Sequence, residues 1–141
     1  MSDRPLDAFL RGERPDDIVL YLAEGHVDDL DRLADHGERV PGGLVIVVEG
    51  ERGRNAFRAA TGRDAMTFAG RAMRTEGSIE PDLTGGTCPE CGSEDLVFVF
   101  AFAEPQSEEA GGLYAEGDVI HAYAGCSCDA AFSQRWVAGE R

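Results

Sequence analysis

The sequence predicts an α+β fold in which a small α/β unit, two parallel strands with helices, is followed by a β hairpin or three-stranded sheet. Three observations predict it. In the first half of the chain, two short apolar runs, residues 18–22 and 44–48, alternate with stretches of helical period. After residue 87 the pattern changes to longer apolar runs rich in aromatic and β-branched residues. All four cysteines lie in this second half, as two close pairs that bracket its first two apolar runs. The expected organisation is therefore an α/β unit over residues 1–76, a connector over 77–87 and a cysteine-bearing β unit over 88–141.

Residues 3–11 read as a short helix, with Asp3 as its cap and Leu6, Phe9 and Leu10 on one face. Pro15, Asp16 and Asp17 mark a turn. The continuous run Ile18, Val19, Leu20, Tyr21, Leu22 reads as a buried strand. Residues 27–36 follow helical period: Val27, Leu30, Leu33 and Ala34 form a stripe, and Asp28, Asp29 and Asp31 crowd the first turn, where the helix dipole favours anions. His36 falls at the C-terminal end and Gly37 stops the helix. After a Pro41-Gly42-Gly43 turn, residues 44–48 form the second strand. Residues 50–53 read as a loop. A helix over 54–61 follows, with Ala56, Phe57 and Ala60 inward and Gly62 at its end. Asp64 caps a further helix to Arg74, with Phe68, Ala69, Ala72 and Met73 inward. Residues 75–87 contain Gly77, Pro81, Gly85 and Gly86 and little periodicity. Residues 96–103, 119–124 and 131–137 read as strands, the first with Phe98, Phe100 and Phe102 on one face. The polar, Gly-rich stretch 105–117 reads as a loop.

The chemistry sits in the cysteines. Cys88-Pro89-Glu90-Cys91-Gly92 is a CPxCG knuckle, and Cys126-Ser127-Cys128 is a second, tighter pair. Close spacing lets both thiolates of a pair face one ion, and a hairpin brings the pairs together. That is the requirement of a tetrahedral four-cysteine zinc site with Cys88, Cys91, Cys126 and Cys128 as ligands. Four protein ligands leave no open position, so the expected Zn2+ is structural. Two disulfides, four buried thiols, or iron in a rubredoxin-like site are the alternatives; iron would usually want CxxC on both sides. His121, five residues before Cys126, is the one other ligand candidate nearby.

Residues 88–137 resemble the zinc-ribbon modules common in small haloarchaeal CPxCG proteins. The whole chain, including Gly53-Arg54-Asn55-Ala56-Phe57, Ala60-Thr61-Gly62 and Ala72-Met73-Arg74-Thr75-Glu76-Gly77, is similar to an uncharacterised haloarchaeal family known only as a domain of unknown function. The resemblance implies a zinc ribbon and a haloarchaeal compartment, and it brings no catalytic residues.

The charge points the same way. The 141 residues carry 27 Asp and Glu against 13 basic residues, all Arg, for a net charge of −14. Such a chain repels itself in dilute buffer. At about 1 M salt the Debye length is about 3 Å, which screens that repulsion and fits a high-salt cytoplasm. An acidic protein from a GC-rich genome would explain the missing Lys but not the acidity. The polar N-terminus has no apolar signal-peptide core and no run is long enough to span a bilayer, so the expected location is cytoplasmic with no membrane partner. The overall charge also argues against coating nucleic acid through bulk positive potential.

That charge is uneven. Residues 52–74 hold six Arg (Arg52, Arg54, Arg58, Arg63, Arg71, Arg74) against the single acid Asp64. Arg suits anions because its planar fork binds carboxylate or phosphate through two bonds. These six are candidates for an anion- or partner-binding face, and the alternative is internal pairing with acidic faces. No Walker Lys, GxGxxG, GxSxG or HExxH is present, and Glu49 and Glu51 would repel a phosphate at the 50–54 turn. The leading expectation is a non-catalytic zinc protein that binds a protein partner as an adaptor. The second is nucleic-acid association through residues 52–74. The third is a small enzyme at the ends of the two N-terminal strands, near Glu24-His26 and Glu49-Gly53.

Overall fold

A computed structural model describes residues 4–27 and 30–140. The expected cap Asp3 and the first-turn residues Asp28 and Asp29 lie outside the described residues, as do the side chains of Asp31 and His36.

Pro5, whose fixed φ suits a first helical turn, opens α1 (Pro5–Leu10), and Leu6 and Phe9 on one face of it are buried. The apolar run that follows forms β1 (Asp17–Ala23), buried along all but its first residue. The expected helix over 27–36 is shorter than its period suggests: α2 (Leu30–Leu33) passes into a single 3-10 turn, Ala34–His36. Then comes a three-residue strand that periodicity does not reveal, β2 (Glu38–Val40), and a tight turn through Pro41 and Gly42 into β3 (Gly43–Glu49). Gly42 has φ +86°, which suits glycine at this turn.

This short strand overturns the expectation of two parallel strands. β1 and β3 are antiparallel, with Asp17 opposite Glu49 and Ala23 opposite Gly43. The crossover from β1 does exist, but it ends at β2. The β2–β3 hairpin then folds β3 back between β2 and β1. Glu24-His26 and Glu49-Gly53, which a parallel pair would place at one end of the sheet, lie at opposite ends, about 20 Å apart at strand rise.

The predicted loop at 50–53 is instead the first turn of α3 (Gly50–Thr61), which Gly62 ends in the left-handed conformation at φ +73°. α4 (Ala65–Ala72) begins at the expected cap, Asp64, whose carboxylate accepts the Thr67 N–H. Phe68, Ala69 and Ala72 are buried as expected. Met73 is not: the helix ends at Ala72, two residues short of the expected Arg74, and Met73 is 65% exposed. The expected connector contains a two-stranded hairpin of β4 (Ser78–Ile79) and β5 (Gly86–Thr87), and its Ile79 and Leu83 are fully buried. β6 (Leu96–Glu104), β7 (Val119–Cys126) and β8 (Ala131–Val137) form an antiparallel meander. The 105–117 stretch between β6 and β7 includes one turn of helix, α5 (Leu113–Glu116).

Apart from the β4–β5 hairpin, the strands join in one six-stranded antiparallel sheet of order β2-β3-β1-β6-β7-β8. Its central seam, β1 against β6, crosses the boundary expected between residues 1–76 and 88–141. Period-two alternation gives the sheet two apolar faces. On one, Val19, Tyr21, Val99, Ala101, Ile120, Phe132 and Trp136 are covered by α1 and by Ile79 and Leu83. On the other, Leu20, Ile46, Phe98, Phe100 and Tyr123 are covered by α3 and α4. Phe57 of α3 and Phe68 of α4 each meet Phe98 edge-on at 4.8 Å. Among the described residues no helix is long and apolar enough to cross a membrane.

Candidate metal centre

The two cysteine pairs meet because of strand register. β5 delivers the chain into the Cys88–Gly92 knuckle, which closes on itself. The Gly92 N–H donates to Cys88 O at 2.9 Å, and the Cys88 N–H donates to Ser93 O at 2.9 Å. Gly92 sits at φ +73°, the backbone conformation that the glycine of the motif permits. The chain then enters β6, where Leu96 pairs with Cys126 at the end of β7. The β7–β8 turn curls just beyond. The Asp129 N–H donates to Cys126 O and the Cys126 N–H to Ala130 O, both at 2.9 Å. The Ser127 N–H donates to Asp95 O at 3.1 Å and joins the two loops.

The result is four sulfurs within 4.8 Å of one another, a set able to hold a metal ion. Cys91 Sγ lies 3.5 Å from Cys126 Sγ, and Cys88 Sγ lies 3.8 Å from Cys128 Sγ. A tetrahedron with Zn–S bonds of about 2.3 Å has S···S edges of about 3.8 Å, so these spacings fit one ion. They are far longer than a disulfide bond, and all four cysteines are free thiols. Cys88 and Cys126 are buried, and Cys91 and Cys128 face outward.

Proton sharing inside the set is uneven. Burial pushes the Cys88 thiol up. The N–H groups of Cys91 and Glu90, with the neighbouring thiols, more than offset this and bring it down to about 7. The Ala130 N–H favours a thiolate at Cys128, but its three sulfur neighbours and burial hold that thiol up at about 12. Four thiolates cannot coexist this close without a cation, and a dication at their centre would replace the shared protons.

Side chains from the N-terminal half brace the loops. His26 Nε2 lies 2.8 Å from Asp95 Oδ1, which ties the turn after β1 to the knuckle. The His26 contact, with the Ser127 side chain, holds the Asp95 carboxyl below the usual range. Arg63 Nη2 makes an ion pair with Asp129 Oδ1 at 3.2 Å, and Arg71 Nη2 donates to the Asp129 carbonyl. The Arg63 guanidinium also lies 5.8 Å from the Phe68 ring centre.

The six arginines of 52–74 are all exposed, and they divide. Arg63 at the α3–α4 corner and Arg71 in the last turn of α4 pin this segment to the cysteine turn, the internal pairing weighed as its alternative. Arg52, Arg54, Arg58 and Arg74 make no ion pair or side-chain hydrogen bond among the described residues. The start of α3 offers no vacant anion site, because Glu49 itself accepts the N–H groups of Glu51 and Arg52 at 3.0 and 3.2 Å. His121 does not join the sulfurs. It lies five residues up β7, about 16 Å along the strand, where its Nε2 meets the Tyr114 hydroxyl at 3.2 Å. Sequence reasoning missed Asp95 and Asp129. Their partners lie 69 and 66 residues away, and only the sheet register brings them together.

No curated protein and no solved structure matches this chain. Residues 37–139 match a family of unknown function, DUF5807. That span runs from just before β2 to just past β8, takes in all four cysteines, and covers well over half of the chain, which therefore belongs to the DUF5807 family.

Proposed function

We propose that the chain is a non-catalytic, zinc-stabilised cytoplasmic protein that acts as a protein-binding adaptor in a high-salt cytoplasm. The observation that carries the reading is the closed set of Cys88, Cys91, Cys126 and Cys128 at tetrahedral S···S spacing. Four thiolates saturate Zn2+ and leave no position for a substrate or water, so the ion organises residues 88–141 and takes no part in a reaction. The His26–Asp95 and Arg63–Asp129 contacts support the same role, because they transmit order at the cysteine loops to the N-terminal half. Native mass spectrometry of the purified chain tests the metal: one zinc per chain is expected, and a metal-free, disulfide-bonded chain overturns the reading. Affinity capture from a lysate kept at molar salt tests the adaptor role, with a stoichiometric protein partner as the expected result.

A second reading rests on α3, whose Arg52, Arg54 and Arg58 are exposed and unpaired among the described residues. Nucleic acid would then be held on this helix. It should co-purify at native salt, and the double substitution Arg54→Glu with Arg58→Glu should abolish it.

A further inference from the structure

The sheet face that carries α3 and α4 is left uncovered at one corner. α4 ends at Ala72, and beyond it Phe102, His121 and Arg135 run side by side across β6, β7 and β8. α5 brings Tyr114 to this row, with its ring 5.9 Å from that of His121. Between Tyr114, His121, Tyr123, Arg135 and the exposed Met73 lies a cleft of about 290 Å3.

Aromatic rings line one side of it. The His121 and Tyr123 rings are inclined by only 8°, and the Tyr114 ring lies at 31° to His121. A flat aromatic side of this kind can pack against a planar ring. The polar groups form a hydrogen-bonded relay. Arg135 Nη1 donates to the Tyr114 hydroxyl at 3.4 Å, with the guanidinium 5.8 Å from the centre of that ring. The Tyr114 hydroxyl in turn meets His121 Nε2 at 3.2 Å. Burial lowers the His121 pKa and so favours its neutral ring.

Two groups at this relay keep binding capacity to spare, Tyr123 beside it and Arg135 within it. Tyr123 is only 4% exposed, yet its hydroxyl has no hydrogen-bond partner among the described residues. Burial with Tyr114 and Glu104 nearby raises it to about 12, so it keeps its proton and can donate. The hydroxyl is not sealed from solvent and can serve a ligand in the cleft. Arg135 makes no ion pair among the described residues, although it is the one arginine there after Arg74 and carboxylates abound. It lies two residues along β8 from Ser133, the cross-strand partner of Tyr123, a diagonal that long side chains span.

We propose that this cleft binds a planar aromatic monocarboxylate, with its ring against Tyr114 and Met73 and its carboxylate between Arg135 and the Tyr123 hydroxyl. The charge count limits the anion. Glu76 lines the cleft, and Glu104 Oε2 lies 3.8 Å from His121 Nε2. A doubly charged phosphate ester would meet both carboxylates with only one guanidinium to offset them, whereas a single carboxylate is matched by Arg135. The site goes beyond the metal reading and shares no residue with the cysteine set.

The test is calorimetric titration of the full chain in molar KCl with 1-naphthoate, its uncharged amide 1-naphthamide, and AMP. Saturable 1:1 binding of naphthoate with Kd of about 1 mM or below is expected, with the amide and AMP at least about tenfold weaker. Arg135→Gln should weaken naphthoate by about tenfold, and Tyr123→Phe, which removes only the hydroxyl, by a smaller factor. Glu76→Gln should tighten it, an outcome that a damaged fold cannot imitate. Equal binding of acid and amide, AMP binding as tight as naphthoate, unchanged affinity in Arg135→Gln, or no saturable binding of naphthoate overturns the proposal.

Discussion

Cys126 and Cys91 sit 3.5 Å apart across the cluster, one buried and one exposed, and that difference separates packing from metal. Cys126→Ala removes a small buried group and would cost about 1 kcal/mol by packing alone. Cys91→Ala removes an exposed thiol and touches no core. If a metal ion holds the site, either substitution leaves three sulfurs, and both should lower the unfolding midpoint by more than about 10 °C and release the metal. If the thiols act only by packing, Cys91→Ala should melt with the parent chain. Thermal unfolding, read beside metal content, decides. The same scale governs acid sensitivity. Asp64 caps α4 by accepting from the Thr67 N–H and hydroxyl, both at 2.9 Å, and these bonds hold its carboxyl below the usual range. A depressed folded pKa gives stability that is whole above the unfolded value near pH 4 and lost as pH falls through the folded one. Asp64→Asn keeps a capping oxygen but cannot titrate. Denaturant midpoints measured from about pH 5 down to about pH 2 should therefore fall less steeply in Asp64→Asn than in the parent.

At the scale of elements, α3 rests on β1 through Gly53. A Cβ there would lie 2.9 Å from the Ile18 Cβ, an atom fixed close to the backbone of a central strand. Alanine in a helix gains up to about 1 kcal/mol over glycine, while overpacking costs about 1–3 kcal/mol. The clash should win, because Ile18 cannot retreat, and Gly53→Ala should destabilise by about 1 kcal/mol. Gly70, exposed in α4 with nothing near its Cβ position, has only the gain, and Gly70→Ala should stabilise by about 0.5 kcal/mol or more. Equilibrium unfolding of the pair reads both signs. The contrast also shows what could be read in advance. The long apolar strands, the Asp64 cap and the cysteine spacing were legible because each is a local pattern of residue types. β2 was not. Glu38, Arg39 and Val40 form a three-residue edge strand in which only Val40 is half-buried, so no alternation marks it. Missing those three residues reversed the direction assigned to β3. The bracing acids Asp95 and Asp129 were hidden for a related reason: they are ordinary polar loop residues until β1, β6 and β7 are placed in register.

For the whole molecule, the decisive feature is the β1–β6 seam. The cysteine-bearing strands do not own both sides of their sheet. β6 presents one edge to β1, with Leu20 opposite Phe100 and Leu22 opposite Phe98. Its two faces are buried with elements from earlier in the chain: against Phe57 and Phe68 on one, and on the other within a cluster that takes in Leu6, Phe9, Ile79 and Leu83. A fragment of residues 88–141 would keep all four sulfurs and the β6–β7–β8 meander. It would expose Phe98, Phe100, Val99 and Ala101 to water and leave β6 as a long apolar edge strand, the kind that pairs with other chains. Zinc can close the loops of such a fragment, but it cannot replace the apolar area supplied by α1, α3 and α4. The fragment titrated with Zn2+ is therefore expected to bind the ion yet give a poorly dispersed amide spectrum or aggregate, whereas the full chain with zinc gives a dispersed one. A dispersed, cooperatively melting fragment would show instead that residues 88–141 fold as a unit, and that the seam with β1 is a docking contact between two bodies. The expected result follows from the register itself, because a strand paired on both edges and buried on both faces belongs to the sheet and not to either end of the chain.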